Sequence, residues 1–268
     1  MIPALLAGLA GLLIGSFLNV CIYRLPRDLS VVRPRSFCPA CEGTVLWYDN
    51  IPVLSFLLLR GRCRRCGEGI GWRYPLVELA TAVAFYVAVS ALGVTPAALK
   101  LCVFSAIMIA LIATDLEERI LPDEFTLGGA AAGVIFSVFV FLPTGLIGFL
   151  LPVGVGTRWR SAAESIFAAA FASGFFWLVR VLYEKVRHRE GLALGDVKMA
   201  ALIGAFLGLE ETLLTLGVGS ILGIVCGGPY IFFTRKKAST YGLPFGTFLG
   251  IAALSVAAFG GAVAAWLA

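Results

Sequence analysis

Apolar residues come in long runs along this chain. Residues 3–23 are interrupted only by Ser16 and Asn19, and further runs cover 75–93, 97–114, 125–146, 161–183, 194–209, 212–233 and 245–267. Crossing about 30 Å of hydrocarbon takes about 20 residues of helix, so each run predicts a transmembrane helix, eight in all. The sixth is the exception. It holds about fourteen residues from Asp196 onward, and at about 1.5 Å per residue that is short or partly re-entrant. The first run lacks a basic segment before it and a small-residue cleavage site after it, and Arg24, Arg27, Arg33 and Arg35 follow. It reads as a retained helix with its N-terminus outside, not as a cleaved signal. Residues 24–74, between the first two runs, form a polar, Arg-rich insert. The expected fold is an all-α polytopic membrane protein in three parts: helix 1–23, insert 24–74 and helical domain 75–268.

Composition agrees. The chain is 60% hydrophobic and 14% charged, where soluble domains carry about 25% charged residues. Its 31 glycines suit helices that pack through small residues. The formal charge of +5 raises nucleic acid as a partner, but the basic residues fall in short loops, where orientation explains them and no nucleic acid is expected. With the N-terminus outside, 24–74, 115–124, 184–195 and 234–244 face the cytoplasm. They hold nine arginines from Arg24 to Arg73, then Arg119, Lys185, Arg187, Arg189, Arg235, Lys236 and Lys237. The opposite loops hold Lys100, Arg158 and Arg160. The positive-inside rule fits this orientation.

Chemistry enters with the cysteines and the acids. Cys38-Pro-Ala-Cys41 and Cys63-Arg-Arg-Cys66 have the spacing of a four-thiolate zinc site. Disulfides are the rival, and a reducing cytoplasm disfavours them. Four protein ligands leave no open position, so such a metal is structural. Cys21, Cys102 and Cys226 lie in apolar runs and read as packing residues. His188 is the single histidine, which argues against Ser-His or Cys-His catalysis and His-ligated metal.

Acids at membrane depth are costly and are functional candidates by default. Asp115 closes the third run, and Asp196 opens the sixth within Gly191-Leu-Ala-Leu-Gly195-Asp196-Val-Lys198. Two spans separate them, so both lie on the cytoplasmic side. A pair of close carboxylates shares a proton, one acting as acid and the other as base toward water, and so hydrolyses a peptide without a covalent intermediate. Bland readings exist: Asp115 as a helix-end charge paired with Arg119, and Asp196 as a favourable anion at a helix start. Gly191 and Gly195 permit a bend and close approach. Asp123 reads as an N-cap, and Lys198 as a partner of Asp196, a snorkelling cation or a topology signal. Glu117, Glu118, Glu210 and Glu211 read as solvated loop charges. Glu78 lies inside the second span and either contacts a cationic cofactor or amine, or pairs with Arg73. Asn19 and Asn50 are candidates for hydrogen bonds between helices.

In combination these residues resemble the bacterial type IV prepilin peptidases. Gly15-Ser-Phe-Leu-Asn19-Val20 and Tyr23-Arg-Leu-Pro26 are similar to that family's opening signature, and the insert with Asn50-Ile-Pro52 and Arg73-Tyr-Pro-Leu-Val-Glu78 to its cytoplasmic zinc domain. The strings around Asp115–Asp123 and Gly195-Asp196 match its two aspartate motifs, and Pro244-Phe-Gly246 also fits. The resemblance implies a GxGD aspartyl endopeptidase of the bacterial inner membrane, cutting basic leaders from prepilins or pseudopilins on the cytoplasmic side. Asp115 and Asp196 would be its catalytic pair, supported by Gly195, Lys198 and Asp123. It also implies N-methylation of the new amino terminus with S-adenosylmethionine, associated with the insert region and with Glu78 as a candidate contact. Two departures stand out: Ala193 where the family has the first glycine of GxGD, and Thr247 where a proline often follows Phe-Gly. The alternatives are a peptidase without methylation, another intramembrane aspartyl protease, or a non-catalytic scaffold of a pilus or secretion machine.

Overall fold

The computed structural model describes residues 1–152, 154–188, 191–234 and 244–267, with backbone alone at 228, 230–234 and 260–267. Arg189, Arg235, Lys236 and Lys237, counted above for orientation, lie outside the described residues. The helices are α1 (Ile2–Arg24), α2 (Leu54–Leu58), α3 (Arg73–Leu92), α4 (Pro96–Glu118), α5 (Asp123–Phe139), α6 (Leu146–Leu150), α7 (Thr157–Arg187), α8 (Leu194–Leu207), α9 (Leu209–Thr234) and α10 (Phe245–Leu267). Among the described residues no strand forms, only the isolated bridges Phe37–Thr44 and Arg62–Gly69.

Each apolar run contains a helix. Among the described residues, five helices are long and apolar enough to cross a membrane: α1, α3, α4, α7 and α9. The chain is a multi-pass membrane protein. Helix ends depart from the apolar pattern because backbone hydrogen bonding does not stop where side chains turn polar. Helix α4 continues to Glu118 and α9 begins at Leu209. Glu117 and Glu118 are therefore in a last helical turn, and Glu210 and Glu211 in a first one, where the helix dipole favours them. These four are helical charges, which corrects the loop reading. Helix α5 stops at Phe139, short of the predicted 146. Cys21 and Cys102 are buried as expected, whereas Cys226 is exposed on α9.

Two compact units divide the chain, residues 1–114 and 115–268. In the first, α1 packs along α3 at Gly11 and Gly15, a small-xxx-small spacing that lets backbones touch. A Cβ at either glycine would come within 2.7 Å of α3 backbone, at Ala82 and Glu78. Asn19 supplies the expected bond between helices, its Nδ2 donating to the Tyr74 carbonyl at 3.0 Å.

In the second unit α8 is the centre. From Asp196 to Leu207 only Lys198 and Ala201 escape full burial. It is pressed between α5, where Gly133 meets Ala205, and α7, where Gly204 meets the Ala168 backbone. Ser165 Oγ adds a bond to the Ala205 carbonyl at 2.7 Å. Gly208, at φ 80, breaks the helix, and α9 starts at the next residue. The buried Glu164 of α7 accepts the Leu209 N–H through Oε1 at 3.1 Å, satisfying an otherwise orphan donor at the start of α9. A Cβ at Gly204 would sit 2.6 Å from the carbonyl of Ala168. Gly204→Ala is therefore expected to cost about 1–3 kcal/mol by overpacking, read as a lower unfolding midpoint in detergent. An unchanged midpoint would mean that α7 and α8 separate freely.

Candidate active site and candidate metal centre

Asp115 sits on the last turn of α4 and Asp196 on the first turn of α8, 5% and 6% exposed. The two are close enough for their charges to act on one another. Leu121, in the segment after α4, lies against both surroundings: a Cβ at Gly195 would come 3.0 Å from it and one at Gly246 3.1 Å. Gly246 also brings the start of α10 onto the carboxylate, since its Cβ would stand 3.2 Å from Asp115 Oδ2. That oxygen accepts the Thr247 N–H at 2.6 Å and the Thr247 Oγ–H at 2.8 Å. Arg119 ends α4 with its N–H on the Asp115 carbonyl and contributes a positive charge nearby.

Asp196 is the third residue of α8, and its carboxylate accepts the Ala193 N–H at 3.3 Å. This is the carboxylate half of a capping box; alanine has no oxygen for the other half. Ala193 holds φ −73 and ψ 151, extended backbone that any residue adopts, so losing the glycine there costs nothing. Lys198 does not face Asp196. Its Nζ contacts both oxygens of Asp123, at 2.6 and 2.8 Å. The N-cap reading of Asp123 is corrected: Pro122 holds the cap position, and Asp123 is the first residue of α5, clamping α5 to α8 by charge.

In the insert the four sulfurs of Cys38, Cys41, Cys63 and Cys66 lie within 4.8 Å of one another, and none is in a disulfide. A zinc–sulfur distance of about 2.3 Å puts tetrahedral sulfurs about 3.8 Å apart; Cys38 and Cys66 are separated by 3.8 Å. The pairs sit on two matching knuckles. The Cys38 N–H donates to Gly43 and the Glu42 N–H to Cys38, as the Cys63 N–H does to Glu68 and the Gly67 N–H to Cys63. The matching left-handed positions are Glu42 at φ 53 and Gly67 at φ 75. Backbone N–H groups of Cys66 and Arg65 pull the Cys63 thiol down to about 6. At Cys66 a Glu68 N–H is outweighed by desolvation and the neighbouring thiols, which push it up to about 12. One thiolate forms easily and the last is resisted, a conflict that a divalent cation among the sulfurs removes. The donor set fits a four-coordinate metal.

Beside the knuckles a cavity of about 340 Å³ opens between α1, α3 and the insert, lined by Ser16, Asn19, Asp49, Tyr74 and Glu78 among others. Glu78 is 7% exposed, and its Oε2 accepts the Val53 N–H at 2.7 Å. Arg73, the alternative partner, stacks on Tyr74 at 4.5 Å. Val53 holds φ 60 and ψ −48, unusual for a β-branched residue. Asn19 Oδ1 is buried without a protein partner. Asn50 lies in a 3-10 turn on the cavity wall, not between helices.

In the sequence Thr247 stands out only as a departure from the family pattern, and Leu121, Val53 and Glu164 are not among the candidate residues. Glu164 carried a usable signal, an acid inside an apolar run. Thr247 and Val53 meet their partners through long-range hydrogen bonds and Leu121 through packing, and none of these carries a local signal.

Two family models match the chain: the bacterial peptidase A24 N-terminal domain over residues 9–92 and the type IV leader peptidase family over 102–228. Three relatives show how far the likeness extends. A Myxococcus xanthus "prepilin leader peptidase/N-methyltransferase" is 38% identical over 81% of this chain and 60% of its own length, so the chain spans under two thirds of it. A Pseudomonas putida protein of the same name is 33% identical over 92% of this chain and 87% of its own. An Escherichia coli "type 4 prepilin-like proteins leader peptide-processing enzyme" is 35% identical over 93% and 91%. No solved structure matches the chain. Both models fit in succession and the likeness to the last two relatives runs nearly end to end: the chain belongs to the type IV leader peptidase family.

Proposed function

We propose that the chain removes basic leader peptides from type IV prepilins or pseudopilins with Asp115 and Asp196 as its catalytic pair, and then N-methylates the new amino terminus. The observation that carries this reading is two buried carboxylates at the ends of α4 and α8 whose neighbours close on one residue, Gly195 beside Asp196 and Gly246 against Asp115 both meeting Leu121. Such a pair shares a proton and can activate a water on one side while protonating a carbonyl on the other. Gly195 allows the approach of α8 to Leu121, and the Lys198–Asp123 clamp holds α5 against α8. The positive-inside count supports an N-terminus outside and this site toward the cytoplasm, and the bacterial relatives support an inner-membrane location. Prepilin substrates would lie with their apolar helix in the bilayer.

Cys38, Cys41, Cys63 and Cys66 would hold a structural zinc ion, with no ligand position left for chemistry. The insert 24–74 is the part assigned to methylation, and 75–268 the part assigned to cleavage. S-Adenosylmethionine would supply an activated methyl group to the free amine. Glu78, buried on the cavity wall, offers an anion to a sulfonium or ammonium cation, and Asn19 Oδ1 offers an acceptor.

Intact mass of a prepilin incubated with the purified protein, with and without S-adenosylmethionine, tests the whole reading. Leader loss plus one donor-dependent methyl group is expected. Leader loss alone leaves a peptidase without methylation; binding with no change leaves a scaffold. Glu78→Gln keeps an acceptor for Val53 but removes the charge. It is expected to raise the donor KM about tenfold or more, the worth of one charge contact, with leader cleavage unaffected. An unchanged donor KM would reduce Glu78 to a structural acceptor.

A further inference from the structure

The two carboxylates have unequal surroundings. Two donors from one residue, the N–H and Oγ–H of Thr247, converge on Oδ2 of Asp115 at 2.6 and 2.8 Å. Thr247 is 4% exposed, so water does not compete for these bonds. A carboxylate oxygen that receives two donors is best served when it is ionised, because it is then acceptor only and both bonds are charge-assisted. Asp196 receives one longer contact, the Ala193 N–H at 3.3 Å. Arg119 brings a positive charge toward Asp115, and Glu117 and Glu118 share the last turn of α4 with it. Lys198 of α8 and Asp123 of α5 neutralise one another, and the described side chains of α10 carry no charge. Gly246 makes the arrangement possible, since a larger residue there would meet Asp115 Oδ2.

We propose that Thr247 is a positioning residue that fixes the roles within the pair: it holds Asp115 as the base and leaves the shared proton on Asp196. This rests on the aspartyl-peptidase reading above. In the first step the water oxygen bonds to the scissile carbonyl carbon. One water proton passes to Asp115, the carbonyl π bond breaks, and the proton of Asp196 passes to the carbonyl oxygen. In the second step the C–N bond breaks, Asp115 returns its proton to the leaving nitrogen, and a hydroxyl proton of the gem-diol returns to Asp196. Both side chains end as they began, and one water has been consumed.

The test compares Thr247→Val, which removes the hydroxyl at nearly constant volume, with Thr247→Ser, which keeps it. Leader cleavage is followed across pH, and unfolding of each variant is checked in detergent. The Val variant is expected to lose about tenfold in kcat with KM within about twofold, the pattern of a lost transition-state contact. The acid limb of its kcat/KM profile is expected to move up by about one pH unit, since a carboxylate that has lost a hydrogen bond must be ionised at higher pH. The Ser variant should stay within about threefold of the parent, with the limb unmoved. A Val variant with the parent's kcat and acid limb, or equal losses in Val and Ser, overturns the proposal. If the Val variant does not fold, Thr247→Ala against Thr247→Ser makes the same comparison. A parent protein that cuts no leader at all sinks the peptidase reading instead.

Discussion

Asp196→Asn and Asp115→Asn are each expected to stop leader cleavage, lowering kcat by about 10⁴-fold, which is about 5.5 kcal/mol of barrier. Asparagine keeps the size and an acceptor oxygen, so the Ala193 N–H and the two Thr247 donors retain a partner. What is lost is the proton traffic. An amide at 115 cannot take a proton from water, and one at 196 has no acidic proton to give. Losses of this size exceed what misplacing one hydrogen bond costs, about 1 kcal/mol, and so separate chemistry from packing. Methylation of a pilin supplied already cleaved should survive both changes, because Glu78 and the four cysteines belong to the first unit while both aspartates belong to the second. The measurement is initial-rate cleavage of a detergent-solubilised prepilin, followed by mass. Either variant cutting within tenfold of the parent would remove that residue from the pair.

Removal of the metal is expected to act on the other unit. Between residues 25 and 72 only Gly43 and Ser55 are fully buried, and Trp47, Leu58 and Trp72 are more than 70% exposed. The insert therefore has no apolar core. Besides the four sulfurs it is held at its start by Arg24, 3% exposed, which donates to the carbonyls of Ser30, Pro34 and Arg35. Farther along, the Arg64–Asp49 fork holds it with contacts of 2.7 to 3.1 Å. Structural zinc contributes about 10–16 kcal/mol in zinc-finger peptides, far beyond what these contacts supply. Cys63→Ser, or a strong chelator, should release the metal, expose 36–70 to protease and abolish methyl transfer, with leader cleavage retained. Metal content, a proteolysis time course and product mass read the three effects together. A metal-free protein whose insert stays protected would show that the sulfurs are not what holds it.

The architecture was legible because a bilayer imposes length and polarity on any chain that crosses it, so apolar runs mark helices with little ambiguity. Asp115 and Asp196 stood out for the same reason, as acids where acids are expensive, and the cysteines stood out by spacing alone. Contacts were another matter. Thr247 reaches Asp115 across 132 positions and Lys198 reaches Asp123 across 75, and nothing local favours those partners over others. Lys198 adjoins Asp196 in sequence, but two positions along a helix points its side chain to a different face. The ends of α4 and α9 were misjudged because four glutamates at their termini belong to helical turns that the apolar pattern does not reach. Glu164 was overlooked because its run was long enough to be a span with or without it.

Val53 shows that the cavity wall is latched. A β-branched residue at φ 60 sits on the order of 1–3 kcal/mol above its preferred conformations, and the carboxylate of Glu78 holds its N–H there. The N–H of Val53, the cap residue of α2, thus depends on a carboxylate that also lines the cavity. A cation bound at Oε2 and the backbone of Val53 would draw on one acceptor, so occupancy of the cavity and the conformation at the start of α2 are expected to be thermodynamically linked.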